Sequence, residues 1–308
     1  MEHYRLEQLA EGVFAAVADP EGWGGCNAGI VGLDDRVLLF DTGCTVPAAR
    51  QLHTLVEHAA GRPASYVVNS HVHDDHINGN LLFAPSATIL ASEVVRGALA
   101  GKFRDKLRPI WTEVQAGIEA CTRQAAETAD PAVRTRLTET VVEMKAFQDA
   151  LPAADEIRVP NLSFNGQLTF HGSTREARLI DCGPGHSGSD TVLWLPAEGV
   201  LFTGDLVTSK DHLVLKFGDP EAWLHVLDRL AELHPRVVIP GHGPIEPGEA
   251  ALDRTRQFIR QLMQQVGTAL AGGATAEYAD TVPVPEGIYE PGYRDNVRFL
   301  LQWMTGRE

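Results

Sequence analysis

The sequence predicts an α/β fold on three observations. Short apolar runs of strand length alternate with longer stretches whose apolar residues recur at helical spacing. Apolar runs repeatedly end in glycine-flanked loops that carry histidine or aspartate, at His71–His76, His186, Asp205 and His242. Between two such regions, residues 92–151 read as a helical hairpin of about sixty residues.

The early elements run β-β-β-α-β. Val13–Val17 and Asn27–Val31 read as strands around the Gly-rich loop Glu21-Gly22-Trp23-Gly24-Gly25. Arg36–Phe40 is an apolar strand that ends in Asp41-Thr42-Gly43. Thr45 can cap a helix, Pro47 suits its first turn, and Leu52, Leu55, Val56 and Ala59 form its apolar face. Gly61-Arg62-Pro63 ends it, and Ser65–Val68 is the strand that leads into the histidine-rich loop.

A strand near Ala87–Leu90 precedes the hairpin. Its first helix aligns Leu107, Ile110, Trp111, Val114, Ile118 and Cys121. Asp130-Pro131 restarts it, and Val133, Leu137, Val141, Met144, Phe147 and Leu151 share the second helix's face. Strands are then expected at Glu156–Val159, Gln167–Phe170, Ala177–Ile180, Thr191–Leu195, Gly199–Phe202 and Val237–Ile239. Helices are expected at 219–234, at about 247–271 and at 293–304.

The 308 residues suffice for one large domain or two ordinary ones. Net charge is −15, and the 26 Lys and Arg form no basic stripe. Such a surface repels nucleic acid and anionic membranes, so neither is an expected partner. A small anionic substrate stays open, because bound metal would dominate the local field. The N-terminus has no basic region followed by an apolar one, so no signal peptide is expected. No apolar run approaches membrane-spanning length. The four cysteines lack CxxC spacing and read as free thiols of a cytoplasmic protein.

Imidazole and carboxylate are ligand types for zinc, iron or manganese. His71 and His73 are two apart, so in an extended segment they point the same way. Asp75 and His76 are adjacent, point apart and can serve a second metal. Gly79 is expected to let the chain turn tightly. In α/β folds ligands bind where strands end, and seven such side chains suit two metals.

His71-Val72-His73-Asp74-Asp75-His76 resembles the HxHxDH motif of the metallo-β-lactamase superfamily. The resemblance extends to Gly-Pro-Gly-His-Ser around His186, Leu-Phe-Thr-Gly-Asp-Leu-Val around Asp205 and Pro-Gly-His-Gly around His242. It implies an αββα sandwich forming one domain over 1–308, with 92–151 as a helical insertion. It also implies a two-zinc site. His71, His73 and His186 would hold one metal, Asp75, His76 and His242 the other, and Asp205 would bridge. Iron and manganese remain allowed.

The implied activity is hydrolysis of a carbonyl ester, thioester, lactone or amide by a metal-bridging hydroxide. Asp75 would also orient that nucleophile and pass its proton to the leaving group. The alternative is an iron-dependent oxidoreductase resembling persulfide dioxygenases. A carboxylate at the bridge and no signal peptide speak against antibiotic hydrolysis as the main role. A small-molecule substrate is expected, and a homodimer is left open.

The remaining polar residues have blander readings. Asp41 ends an apolar strand, so it either bonds the metal loop or stabilises a turn. Asp74 faces the pocket or solvent. Lys210 and His212 could touch substrate but read more readily as solvated loop residues. Trp111 and Phe103 read as core. His3, His53, His58, His171, His225 and His234 read as surface or satisfied residues. Substrate-binding residues stay unassigned.

Overall fold

The computed structural model describes residues 1–101, 109–208 and 213–306. Phe103, Leu107, Lys210 and His212 lie outside the described residues. The chain divides into two compact units, Met1–Ser163 and Phe164–Glu308.

The first unit carries a sheet of β1 (Tyr4–Ala10), β2 (Val13–Ala18), β3 (Ala28–Leu33), β4 (Arg36–Phe40), β5 (Tyr66–Val68) and β6 (Thr88–Ser92), in that order. β7 (Leu162–Phe164), where the chain divides, follows β6 in the sheet. β1 to β4 pair antiparallel, whereas β4, β5 and β6 run parallel. A parallel pair needs a crossover, and α1 (Val46–Ala60) supplies it between β4 and β5. Thr45 caps this helix by accepting from the Ala48 N–H, and Gly61 ends it at φ 67°. Ala48, Leu52 and Val56 pack with Ile30, Leu39 and Val67 in the core.

After β5 come two single-turn helices, α2 (Asp74–Ile77) and α3 (Asn80–Phe83). Then follow α4 (Glu93–Ala100), α5 (Pro109–Glu127) and α6 (Pro131–Ala150). Asp130 caps α6 by accepting from the Ala132 and Val133 N–H groups. Among the described residues the hairpin stretch thus holds three helices, with α5 packed on α6 and on α2. Its apolar stripes are only partly covered. Trp111, expected in the core, is 42% exposed, and Val133 is also exposed.

The expected strand at 156–159 is instead the end of a turn at Glu156 and irregular chain after it, outside any strand. Ile157 is apolar because it packs with Ile77, Val95 and Leu99, and the sheet ladder plays no part in that. β1 went unexpected because the register shifts between Gln8 and Ala10, which breaks the alternation that marks a strand.

The second unit has a six-stranded sheet in the order β13-β12-β11-β10-β9-β8. These strands are β8 (Gln167–His171), β9 (Glu176–Asp181), β10 (Thr191–Leu195), β11 (Val200–Phe202), β12 (Val237–Ile239) and β13 (Glu246–Pro247). Of these strands as described, β11 and β12 pair parallel and the others antiparallel, and α7 (Pro220–Ala231) lies between β11 and β12 in sequence. Three further helices follow, α8 (Gly248–Ala271), α9 (Tyr278–Thr281) and α10 (Glu290–Thr305). Trp223, Leu227, Leu252, Ile259, Tyr293 and Leu300 anchor the core between these helices and the sheet. Among the described residues, no helix is long and apolar enough to cross a membrane.

Candidate metal centre

Parallel pairing decides where the polar loops fall. Phe40 pairs with Val68, so the chain leaves β4 at Asp41 and β5 at Asn69 on the same sheet edge. Phe202 likewise pairs with Ile239, so the loops of Asp205 and His242 leave β11 and β12 side by side.

In the first unit, His71 Nε2 and His73 Nδ1 stand 3.0 Å apart. Their spacing matches two ligands turned to one point, since tetrahedral ligands at about 2.0–2.1 Å lie roughly 3.3 Å from each other. Asp75 and His76 do not point apart. His73 caps a helical turn, and Asp75 Oδ2 lies 3.6 Å from His76 Nε2. Adjacent residues diverge by about 100° on a helix and by about 180° on a strand, so both can serve one metal.

His76 Nδ1 lies 2.8 Å from Asp41 Oδ2, which turns Nε2 toward Asp75. Asp41 Oδ1 accepts the Ser70 N–H at 2.8 Å. Ser70 Oγ sits 2.9 Å from His71 Nδ1 and 3.4 Å from His76 Nδ1. Thr42 donates its N–H and its hydroxyl to the His76 carbonyl, both at 3.0 Å. Asn69 and Asn80 bond each other through both amides, and Asn69 also donates to that carbonyl.

His71, Asp74 and His76 are fully buried, so Asp74 does not face solvent. Gly79 has φ −72°, an ordinary value, so turning is not its use. A Cβ there would overlap the Thr42 carbonyl oxygen, and glycine permits that approach.

Cys26 joins Asp41 and His76 in a third group of closely spaced donors. Burial pushes its thiol up to about 12, against the opposing pull of His76. Without an ion the thiol therefore stays protonated near neutral pH. Burial likewise raises the Cys44 thiol and the Tyr4 phenol, and Tyr4 donates its hydroxyl to the Gly24 carbonyl at 3.0 Å.

In the second unit, His186 lies in the turn after β9, Asp205 in the 3-10 turn Gly204–Leu206 and His242 after β12. Asp205 faces both histidines. Its Oδ2 is 3.5 Å from His186 Nε2, and its Oδ1 is 3.3 Å from His242 Nε2. One carboxylate oxygen thus faces each of the two imidazoles. Gly241 donates its N–H to the Gly204 carbonyl at 2.8 Å, and a Cβ on it would overlap Asp205. Asp190 anchors the His186 turn by accepting the Ser187 N–H at 3.0 Å and its hydroxyl at 2.9 Å. Burial raises the Asp190 carboxyl, opposed by His186 and the Ser187 bonds.

Ser70, Thr42 and the Asn69–Asn80 pair were not singled out from the sequence. Asn69 and Ser70 abut the histidine motif, which is a visible signal. Cys26 is 45 positions upstream of His71, and no local pattern links them.

Two sheets of mixed parallel and antiparallel strands, with His/Asp donor groups at their strand ends, define a metal-binding α/β fold. The superfamily comparison agrees, matching residues 22–242, and the chain belongs to the metallo-β-lactamase superfamily. It is 30% identical over 132 residues to the metallo-beta-lactamase type 2 of Bacteroides fragilis, covering 40% of this chain and 52% of that protein. It is 23% identical over 287 residues to a linear primary-alkylsulfatase of a Pseudomonas species, covering 85% of this chain and 51% of the other. The chain thus spans about half the length of these curated relatives. Both relatives are hydrolases by name.

Solved structures share the fold. A metallo-beta-lactamase from Pontibacter korlensis superposes with a TM-score of 0.57 at 18% identity, over 83% of this chain and 99% of that one. The inverting sec-alkylsulfatase Pisa1 from Pseudomonas sp. gives 0.67 at 18% identity, over 99% of this chain and 51% of that one. The expected metallo-β-lactamase fold class is borne out.

Proposed function

We propose that the chain is a metal-dependent hydrolase with one binuclear centre. His71, His73 and His186 are its ligands to one ion, Asp75, His76 and His242 its ligands to the other, and Asp205 the bridge. The single observation that supports two ions is Asp205, with one carboxylate oxygen near each of two histidines. The proposal requires 1–308 to act as one domain, with 92–151 as a helical insertion.

Zinc is the favoured metal, since the donors are imidazole and carboxylate; iron and manganese accept the same set. A bound pair would supply a Lewis acid for the scissile group and lower the pKa of water to about 7. The protein's own residues do the rest. Asp41 and Ser70 fix the rings of His76 and His71. Asp75, only slightly exposed, takes the proton of the attacking water and hands it to the leaving group.

The substrate is a small molecule with a carbonyl ester, thioester, lactone or amide bond. The β-lactamase relative supports a carbonyl substrate. A sulfate ester is the second reading, supported by the alkylsulfatase relative, which aligns with 85% of this chain. Neither reading involves nucleic acid or a membrane, and the net charge of −15 supports that. The free cysteines support a cytoplasmic setting. A homodimer is the assembly to test, by light scattering.

The deciding experiment is a panel of esters, thioesters, lactones, β-lactams and alkyl sulfates with metal-reconstituted protein, against Asp205→Ala. Turnover that Asp205→Ala abolishes supports the proposal, and the substrate turned over selects between the two readings. An Asp205→Ala protein with full metal and full turnover refutes the binuclear assignment. Oxygen uptake by iron-loaded protein, with no hydrolysis, would favour the oxidoreductase alternative.

A further inference from the structure

We propose that Trp223 is a positioning residue that ties His186 to Asp205, so that one buried indole sets the spacing of two metal-facing side chains. The inference rests on the metal-centre reading of those two residues.

Trp223 is fully buried in α7 and reads from the sequence as an ordinary inward-facing residue of that helix. Its surroundings are more specific. The indole meets the His186 imidazole edge to face, with ring centroids 5.4 Å apart and planes at 75°. Its Nε1–H donates to the Leu206 carbonyl at 3.0 Å. Leu206 directly follows Asp205 in the 3-10 turn. One side chain therefore packs on the first metal-facing residue and hydrogen-bonds the turn that carries the second.

The helix that carries Trp223 is itself tied to the His186 turn. Asp219, the cap of α7, donates its N–H to the Gly185 carbonyl at 3.0 Å, and Trp223 N–H donates to the Asp219 carbonyl at 2.8 Å. Gly185 lies where the parts meet. A Cβ on it would come within 2.6 Å of Leu206 Cδ2, 3.0 Å of Asp190 Oδ2 and 3.8 Å of Trp223 Cγ. The backbone before His186, the start of α7 and the Asp205 turn thus share one close-packed junction. Packed interiors resist continuous deformation, so a junction of this kind holds a distance.

An apolar side chain would fill the same core, because hydrophobic burial asks only for area. The indole N–H is the feature that core packing does not need. Outer-sphere groups that orient metal ligands change metal affinity by about 10–100-fold when removed.

The test uses Trp223→Phe and Trp223→β-(3-benzothienyl)alanine. The second replaces the N–H by sulfur at nearly the same shape, so the fold is kept. Leu227→Ala, in the same core on α7, is the control for simple core loss. The readouts are zinc affinity by chelator competition, the visible spectrum of the cobalt-substituted protein and the melting temperature of metal-free protein. Both Trp223 variants are expected to bind zinc about tenfold more weakly and to shift the cobalt bands. The benzothienyl variant, in which only the Leu206 carbonyl loses its partner, should do so with a smaller fall in the metal-free melting temperature than Leu227→Ala causes. Leu227→Ala should lower that temperature and leave affinity and spectrum alone.

A benzothienyl variant with parental affinity and spectrum overturns the inference. His186→Ala, measured alongside, separates the two readings. If it also keeps parental zinc affinity, the metal-centre reading fails. If it loses zinc while the benzothienyl variant does not, the Trp223 inference alone fails.

Discussion

Asp41 Oδ2 lies 2.8 Å from His76 Nδ1, while Asp41 Oδ1 accepts the Ser70 N–H at the same distance. One fully buried carboxylate thereby fixes both a histidine ring and the backbone that leads to His71. Asp41 does this from φ 64°, a left-handed conformation that costs most residues about 1 kcal/mol or more. The parallel pairing of β4 with β5 brings the two loops together and supports that strain.

Asp41→Asn removes the charge together with one of the two acceptor oxygens. Asparagine tolerates the left-handed conformation, but its single amide oxygen cannot accept from both Ser70 and His76. Metal affinity is expected to fall about 10–100-fold. Folding stability should drop by about 1–3 kcal/mol, the cost of a buried group left unpaired. Chelator competition and urea unfolding measure the two effects. A stability loss with unchanged metal affinity would reduce Asp41 to a turn stabiliser.

Gly79→Ala tests close approach against backbone freedom. With φ −72°, alanine could adopt the backbone without strain, so a purely conformational role predicts a neutral or stabilising change. The overlap with the Thr42 carbonyl and a further approach to Ala49 Cβ predict the opposite. Overpacking of this kind costs about 1–3 kcal/mol. A denaturation midpoint at or above the parent's would show that the Thr42 loop yields.

These two residues mark how far the sequence could be read. Strand ends, helix caps and donor types were legible because each follows a local rule. Thr45, Asp130 and Asp219 all cap as their residue types require. What failed depended on partners distant in sequence. Gly79 signals a tight turn locally, but its constraint comes from Thr42. Asp75 and His76 read as diverging on an extended segment, and the helical turn that makes them converge is held through the His76 carbonyl by Thr42 and Asn69. Ile157 looked like a strand residue because apolar character records burial without saying what does the burying. Trp111 shows the reverse case, apolar at helical spacing and yet 42% exposed.

Cys182 makes stability fall at alkaline pH. Burial, chiefly, with nearby Asp190 adding, pushes its thiol from 9.0 up to about 12. Between those values the unfolded chain loses a proton that the native state retains. The stabilisation is therefore complete below about pH 9 and is lost as pH rises toward 12. Urea midpoints of Cys182→Ala and parent should converge as pH is raised from 8 to 10.5. Iodoacetamide at pH 8.5 should label the partly exposed Cys121 ahead of Cys182 in the native protein. Parallel midpoints across that range would show that Cys182 titrates alike in both states.

Asp205 carries the largest prediction, because it faces histidines from two separate loops. Lone pairs of one carboxylate and two imidazoles turned toward one another are costly without an ion; an ion bound among them converts that cost into affinity. Chelation of parent protein should therefore lower its melting temperature. At a free metal concentration of 100 times Kd, the lost stabilisation is about 2.7 kcal/mol per site. Asp205→Ala removes the carboxylate between His186 and His242 and leaves both rings in place. If Asp205 bridges, metal content falls for both ions together, and added chelator barely changes the melting temperature. If it serves one ion only, the variant keeps one equivalent of metal and about half the chelator effect. Metal analysis beside calorimetry distinguishes these outcomes before any substrate is known, which makes it the stronger test of the binuclear reading.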